Sequence, residues 1–314
     1  MKKISKKNRG IVLVFVLVVV LAMSTMVLFF QNRTRGYIDV LSASSRFQNM
    51  DSLAEIGIEI GKEIIAIQQS LETSSISADR IWPKEKIYEA EGMNLHVTVE
   101  DENGKINPNR IFGEEKGEIN GVLQNIYNVF FAVTGYPETL RDSMLDWIDE
   151  DDIPRQNGAE SFHYRTEGLP YTPPNRKFYT AEEILLVRDC TEEIFYGKDE
   201  DEEEKKGLVN FVSIISDGKI NVNRCSPEIL NAMGFTSANV ERILAEREGK
   251  PLAERDIMSI NREAYTRNRN AISFKSSYYC ISSKVTDREG REKMIKAYIR
   301  SDDKKTDILR WTMI

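Results

Sequence analysis

An acidic block in the middle of the chain has the residue types of a cation site. Carboxylates cluster where a predicted helix gives way to a loop, in the run Leu145-Asp146-Trp147-Ile148-Asp149-Glu150-Asp151-Asp152, and Glu160 follows. Ca²⁺ takes about six to eight hard oxygen ligands in flexible geometry, which such a loop can supply. Carboxylates at a helix C-terminus also oppose the helix dipole, so a positive charge should compensate them. A cation and the nearby Arg155 or Arg165 are both open explanations, because the EF-hand spacing is absent.

The remaining titratable residues do not predict a catalytic site. The only histidines are His96, in a strand-like segment, and His163, in a loop. Neither a nucleophile-elbow serine nor a glycine-rich phosphate loop occurs in the sequence. Cys190, Cys225 and Cys280 are widely separated, which predicts buried small side chains or at most one disulfide. We therefore expect the protein not to be an enzyme.

Residues 226–260 have the pattern of a helix-hairpin-helix. Ser226 is a predicted N-cap with Pro227 at the first helical position, and Gly234 is predicted to end this helix. In nucleic-acid-binding versions the hairpin reads Gly-x-Gly, which lets bare backbone N–H groups approach phosphate. Here the third position is Thr236. The body after residue 10 carries 38 basic and 50 acidic residues, a poor match for nucleic acid. A structural or protein-contact role is therefore predicted.

The N-terminus predicts a membrane anchor. Residues 11–30 are apolar apart from Ser24 and Thr25, and a helix of that length, about 30 Å, spans the hydrocarbon core. A basic leader precedes this run, in Lys2, Lys3, Lys6, Lys7 and Arg9, which predicts a cytoplasmic N-terminus and an external body. An unprocessed signal anchor is one alternative. A cleavable secretory signal is another, but its cut site near residues 41–43 lies too far beyond the apolar run.

Gly10 stands before the apolar run rather than after it. This arrangement resembles the class III leader of type IV pilins and type II secretion pseudopilins. The resemblance implies that a prepilin peptidase cuts after Gly10 and methylates the new N-terminus, Ile11.

The rest of the chain predicts an α+β protein. Apolar residues recur at helical spacing beyond the membrane run, which predicts one helix of about 60 residues, in the stripe Leu53, Ile56, Ile60, Ile64, Ile67 and Leu71. Gly36, Gly57 and Gly61 are predicted bending points. Strands are predicted at 95–99, 208–215, 278–285 and 294–300, around a helical block between 115 and 206. The charged run 198–206 predicts a solvated loop.

One short segment occurs twice. Gly104-Lys105-Ile106-Asn107-Pro108-Asn109-Arg110 recurs as Gly218-Lys219-Ile220-Asn221-Val222-Asn223-Arg224. Asparagine accepts positive φ and caps a following helix, so each copy is predicted to be a turn into a helix.

These features together resemble the general secretion pathway protein K family, the large minor pseudopilins of type II secretion. The match rests on the leader, the acidic block, Gly158-Ala159-Glu160, Asn175-Arg176-Lys177-Phe178 leading into Glu182-Glu183-Ile184-Leu185-Leu186, and Ile220-Asn221-Val222-Asn223 with its hairpin helices. The resemblance implies an α+β fold, in which a long transmembrane helix continues into a pilin-like head with an inserted all-α domain of helix-hairpin-helix or SAM-like type.

The expected boundaries of the segments follow from this interpretation. They are 1–10 for the leader, 11–31 for the transmembrane helix, 32–75 for its periplasmic continuation, 76–114 for the first pilin-like β region, 115–206 for the insertion, 207–301 for the second pilin-like part, and 302–314 for a charged tail.

The resemblance also implies ligands and partners. Bound calcium is expected in the insertion, with Asp149, Asp151, Asp152 and Glu160 as candidate ligands. Partners are expected to be the other minor pseudopilins of a tip complex, the major pseudopilin, the prepilin peptidase and the inner-membrane assembly platform. The head is expected in the periplasm, on a single-pass inner-membrane anchor.

Position five after the cut distinguishes this chain from major pilins. They carry a glutamate there that pairs with the N-terminal amine of a neighbouring subunit, whereas this chain has Phe15. A subunit at the tip has no subunit beyond it, so the difference predicts a protein that initiates and caps the fibre. Two alternatives stay open: a minor pilin of a type IV or competence pilus, and a membrane-tethered nucleic-acid-binding module.

Overall fold

The computed structural model describes residues 8–72, 85–90, 92–113, 118–198, 205–302 and 305–313. The basic residues 2–7 of the leader, the predicted helix end at 73–75 and most of the acidic run, 199–204, lie outside the described residues.

A single helix, α1, runs from Asn8 to Glu72 over 65 residues. Its segment Val14–Arg33 is long and apolar enough to cross a membrane, and none of it is buried in the protein. The two polar side chains within that segment bond to the helix itself: Ser24 Oγ donates to the Val20 carbonyl at 2.8 Å and Thr25 Oγ1 to the Ala22 carbonyl at 2.8 Å. Bonds of this kind leave no polar group unsatisfied in lipid. The predicted spine helix is therefore present.

The buried face of α1 includes only part of the predicted stripe: Ile64 is buried, and Leu53 and Ile60 pack against the same core. Met50, Ala54, Ile58, Ile64 and Ile65 are buried against the sheet, whereas two residues of the predicted stripe are largely exposed: Ile56 at 53% and Ile67 at 45%. Glycines explain the difference, because a Cβ on Gly57 would collide with Ser283 and one on Gly61 with Ile281. The helix turns its glycines inward to approach the sheet closely. These glycines lie within one continuous helix, and they are close-contact positions.

A five-stranded antiparallel sheet packs under α1. The strands of all sheets in the described residues are β1 (Glu85–Ala90), β2 (Met93–Asp101), β3 (Gly197–Lys198), β4 (Lys205–Lys206), β5 (Ile220–Asn221), β6 (Ile272–Ser273), β7 (Tyr278–Thr286), β8 (Glu292–Ser301) and β9 (Thr306–Met313). The large sheet has the order β1-β2-β7-β8-β9, and the other four strands form two short pairs. Part of the predicted charged tail is thus the edge strand β9. Alternate residues of β2, β7 and β8 face α1 and form one core with it.

Everything between β2 and β7 is an insertion, since these two strands are neighbours in the sheet. It contains α2 (Gly121–Thr134), α3 (Glu138–Asp146), α4 (Ser161–Thr166), α5 (Glu192–Tyr196), α6 (Pro227–Ala232), α7 (Ser237–Gly249), α8 (Glu254–Ile260) and α9 (Arg262–Asn268). Its buried apolar residues form a second core that runs from Ile106 to Ile272. This core extends on both sides of the expected boundaries at 115 and 206.

The predicted strand at 208–215 is wrong. Leu208–Asn210 is a turn of 3-10 helix, and Val212 makes a single bridge to Ile106. The segment is rich in strand-forming apolar residues because it crosses the interior of the helical core, where Phe211 and Val212 are buried. Continuous burial produces the same apolar run as a buried strand.

The repeated segment adopts the same hydrogen-bonding pattern twice. The Asn107 side chain accepts from the Asn109 N–H at 3.0 Å, and the Asn221 side chain accepts from the Asn223 N–H at 2.9 Å. Asn109 and Asn223 each donate to two carbonyls of distant loops. Each copy also makes one parallel pairing, at Ile106 and at Ile220. The insertion therefore uses the same asparagine turn to start both of its halves.

Candidate cation site

The acidic block lies at the end of α3 and in the loop that follows it. Trp147 ends the helix and is only 3% exposed. Its ring stacks on Phe178 at 6.1 Å and meets Tyr164 edge-on at 6.0 Å. These aromatic contacts fix the turn after α3, so the carboxylates on either side of Trp147 are held in defined positions.

The structure brings three of the four predicted ligands together. One carboxylate oxygen each of Asp149, Asp151 and Glu160 lies within 4.8 Å of the others. Asp152, the fourth, is not in this group. Its Oδ1 accepts from the Ser161 N–H at 3.1 Å, at the start of α4. Asp152 therefore caps a helix beside the cluster.

Arg155 compensates only part of the negative charge. Its Nη1 donates to Asp146 Oδ1 and to Asp149 Oδ2, each at 2.5 Å. Arg165, the other predicted compensator, donates to the Ser161 carbonyl at 3.0 Å. Glu160 is only 2% exposed, and neither of its carboxylate oxygens has a hydrogen-bond partner among the described residues. Asp149 Oδ1 is buried and unpartnered in the same way. Arg155 alone therefore does not compensate the negative charge of the cluster.

The pKa values reflect this shortage of positive charge. Burial, then the neighbouring carboxylates of Asp146 and Asp149, raise the pKa of Glu160 to about 8. Burial also raises the pKa of Asp149 to about 6, although Arg155 acts in the opposite direction. Such shifts mean that the ionised forms lack adequate solvation or pairing. A divalent cation bound among these oxygens would supply the missing positive charge and would stabilise the ionised carboxylates.

Two residues support the cluster in ways that the sequence analysis missed. A Cβ at position 158 would overlap the Asp146 carboxylate, so Gly158 is the residue that permits this close approach. Asn175 Nδ2 donates to the Asp151 carbonyl at 2.7 Å. Asn175 also has φ +49°, one of two positive values outside glycine among the described residues. Its place in an Asn-Arg-Lys run gave no signal that it lies near the acidic block.

The other predicted site residues lie far from this cluster in sequence. Gly10 and Ile11 lie in the first turns of α1, and Phe15 is 68% exposed on its membrane segment. In the hairpin, Gly234 has φ +87° and Thr236 caps α7 by accepting from the Asn239 N–H. The helices of the predicted helix-hairpin-helix are α6, α7 and α8. All three cysteines have free thiols, so the one disulfide that the sequence allows is not formed.

Comparison with known proteins agrees with this fold. Residues 104–196 match the family model described as Type II secretion system (T2SS), protein K. No curated protein matches the chain. A chain in the crystal structure of the GspK-GspI-GspJ complex from the type 2 secretion system of enterotoxigenic Escherichia coli has the same fold, with a TM-score of 0.65 and 17% identity. The alignment covers 86% of this chain and 98% of that chain. The matched domain and the shared α+β fold confirm the predicted resemblance to the protein K family, the minor pseudopilins of type II secretion.

Proposed function

We propose that this minor pseudopilin starts and caps the pseudopilus of type II secretion, and that it acts as a structural subunit without catalysis. A methylated Ile11 would begin the mature helix in the inner membrane, with the head in the periplasm. The prepilin peptidase, the assembly platform and the major pseudopilin are its further proposed partners.

The proposed contact with other minor pseudopilins rests on a second apolar surface of α1. Ile56, Ile60 and Ile67 lie along the helix beside Tyr88 of β1 and line one open groove. Glu59 and Glu63 line the same groove. Because the opposite face of α1 already packs on the sheet, this stripe is available to another helix. The similar chain from E. coli is in a complex with GspI and GspJ. Proteins of that class are the proposed occupants of this surface.

Replacing exposed residues of this groove tests the contact. Ile56→Ser with Ile67→Ser should leave the stability of the protein almost unchanged, because both side chains are about half exposed. Co-purification of the other minor pseudopilins from detergent extracts should fall at least about tenfold, which corresponds to 1.4 kcal/mol. Val133→Ser, an equally exposed position on α2, is the matched control. Unchanged co-purification of the double variant would contradict the assignment of this surface.

Phe15 supports the position at the tip. A chain without a carboxylate at this depth cannot pair with the N-terminal amine of a subunit above it, so it can begin a fibre but lacks one contact needed to extend it. The insertion adds bulk at the far end of the head. Labelled antibody against the head should mark only one end of each isolated pseudopilus. Regular labelling along the shaft would contradict the tip position.

We propose further that Asp149, Asp151 and Glu160 hold Ca²⁺ as a structural ion. The fit rests on the unpartnered, buried oxygens of Glu160 and Asp149 and on hard carboxylate donors. When bound, the ion would neutralise these groups and tie the loop after α3 to the start of α4. Calorimetric titration of the detergent-extracted full chain should show Ca²⁺ binding that Mg²⁺ does not match, because Mg²⁺ demands a tighter octahedral site. Absence of Ca²⁺ binding would refute this part.

A further inference from the structure

We infer that Asn175 is also a ligand of this cation site and contributes a neutral oxygen from a distant segment of the chain. The inference rests on the proposed binding of Ca²⁺. It adds a donor that lies 24 residues beyond Asp151 and outside the acidic block.

The orientation of the Asn175 amide is determined by its one hydrogen bond. Nδ2 donates to the Asp151 carbonyl at 2.7 Å. Turning the amide over would place Oδ1 against that carbonyl, and two acceptors repel each other. Oδ1 therefore points away from the Asp151 carbonyl. It is buried and has no hydrogen-bond partner among the described residues. A buried acceptor left without a donor costs free energy, and a cation would satisfy it.

A second observation indicates a ligand at the same place. Glu160 is 2% exposed and both its oxygens also lack partners among the described residues. Asp151, whose carbonyl holds Asn175, contributes its carboxylate to the group that contains Glu160. Unsatisfied acceptors thus occur on Asn175, which bonds to Asp151, and on Glu160, whose carboxylate lies near that of Asp151. A single positive ion bound at Asp151 would serve both.

The segment that follows Asn175 is anchored firmly enough to present a ligand. Arg176 forms two hydrogen bonds to the Glu183 carboxylate, at 3.2 and 3.0 Å. The Phe178 N–H donates to Asn109 Oδ1 at 2.7 Å, and its ring stacks on Trp147. These contacts hold Asn175 in the left-handed region, which asparagine tolerates better than other residues with a Cβ.

An amide suits this position better than another acid. The cluster already contains three carboxylates and shares one guanidinium, and mutual repulsion contributes to the raised pKa of Glu160. When no ion is bound, a fourth carboxylate would increase that repulsion. An amide oxygen adds to the count of hard ligands that Ca²⁺ needs without adding charge.

The test compares three substitutions at one position, all in the detergent-extracted full chain. Asn175→Gly keeps the left-handed backbone and removes the oxygen, Asn175→Ala removes both, and Asn175→Asp keeps an oxygen but loses the N–H donor. The matched control is Asn210→Ala, since Asn210 Nδ2 likewise donates to a backbone carbonyl, that of Gly207 at 3.1 Å. Circular dichroism reports whether each variant folds.

Ca²⁺ affinity and the number of water ligands are both measured. We expect the glycine and alanine variants to bind Ca²⁺ at least about tenfold more weakly and the aspartate variant to bind close to the original affinity. Tb³⁺ serves as a luminescent substitute for Ca²⁺, and lifetimes in H₂O and D₂O report bound water. The glycine variant should gain about one water ligand, because a solvent oxygen replaces the amide.

Three results would overturn the inference. Unchanged Ca²⁺ affinity and unchanged hydration in the glycine variant would show that Asn175 is not a ligand. Weak binding by the aspartate variant would show that the N–H to Asp151, rather than the oxygen, is what matters. If the unaltered protein does not bind Ca²⁺, the proposed calcium site itself fails. That outcome is distinct from the first two, in which the unaltered protein binds.

Discussion

Two parts of the head bury charge in opposite ways. Where β2 joins the insertion, Lys105 is 9% exposed and donates to Glu100 Oε2 and Glu102 Oε1, each at 2.8 Å. Burial alone would lower the pKa of Lys105, but Glu102 and Glu100 outweigh burial and raise it. At the end of α3, the carboxylates outnumber the single Arg155 and their pKa values are raised. The first site carries its own counter-charge, whereas the second has fewer cationic than anionic side chains.

The difference indicates separate tasks for the two sites. Lys105 and Glu102 lie within the first turn of the insertion, where the sheet and the helical core meet. The ion pair there needs no cation from solution. The acidic cluster lies in a loop of the insertion, and under the proposal above its stability would depend on a cation. Three predictions test this comparison.

The largest effect is expected from breaking the internal pair. Lys105→Met removes the ammonium and leaves Glu102, which is 3% exposed, without its partner. A buried charge left alone costs about 3–5 kcal/mol, so the free energy of unfolding should fall by that amount. Urea denaturation of the detergent-extracted protein measures it. The control is Lys62→Met on α1, whose partner Glu59 is 68% exposed and whose loss should cost less than about 1 kcal/mol. Equal losses in the two variants would contradict the distinction between paired and surface ions.

The next effect is the stabilisation by Ca²⁺ and its loss in Glu160→Gln. At a Ca²⁺ concentration one hundred times the dissociation constant, the unaltered protein should gain about 2.7 kcal/mol in its free energy of unfolding. The glutamine variant should lose most of this gain. Without a cation it should be more stable than the original only above about pH 8, where Glu160 of the original is ionised. Glu167→Gln, an exposed acid at the end of α4, should behave like the original. A variant that keeps the full Ca²⁺ gain would exclude Glu160 from the site.

The smallest effect concerns pH in the absence of cations. The folded-state pKa values of Glu160 and Asp149, about 8 and about 6, lie above their ordinary values. The folded protein therefore binds more protons than the unfolded chain in this range, so stability should fall as pH rises from about 5 to 8. The fall should be seen with chelator present and should disappear at saturating Ca²⁺. Urea unfolding across this pH range measures it, and stability that rises with pH under chelator would be inconsistent with an uncompensated cluster.

The sequence predicts much of the fold because local chemistry determines it. The cap at Ser226 and Pro227 forms as predicted, and the alternating segment at 95–99 lies within β2. The buried face of α1 was only partly predictable from periodicity, since Gly57 and Gly61 lie against the sheet together with isoleucines such as Ile58. The acidic block predicts its own members, but Asn175 approaches it only through tertiary packing. No spacing rule relates residues that a fold brings together from separate segments.

The adjacency of β2 and β7 has a structural consequence for the whole molecule. Asp101 and Tyr279 are cross-strand partners, so the helical insertion leaves and re-enters the sheet at one point. The entropy of closing a loop grows by only about 0.6 kcal/mol for each doubling of its length. A domain inserted between β2 and β7 can therefore become longer or shorter, or be replaced, without altering any strand pairing of the sheet.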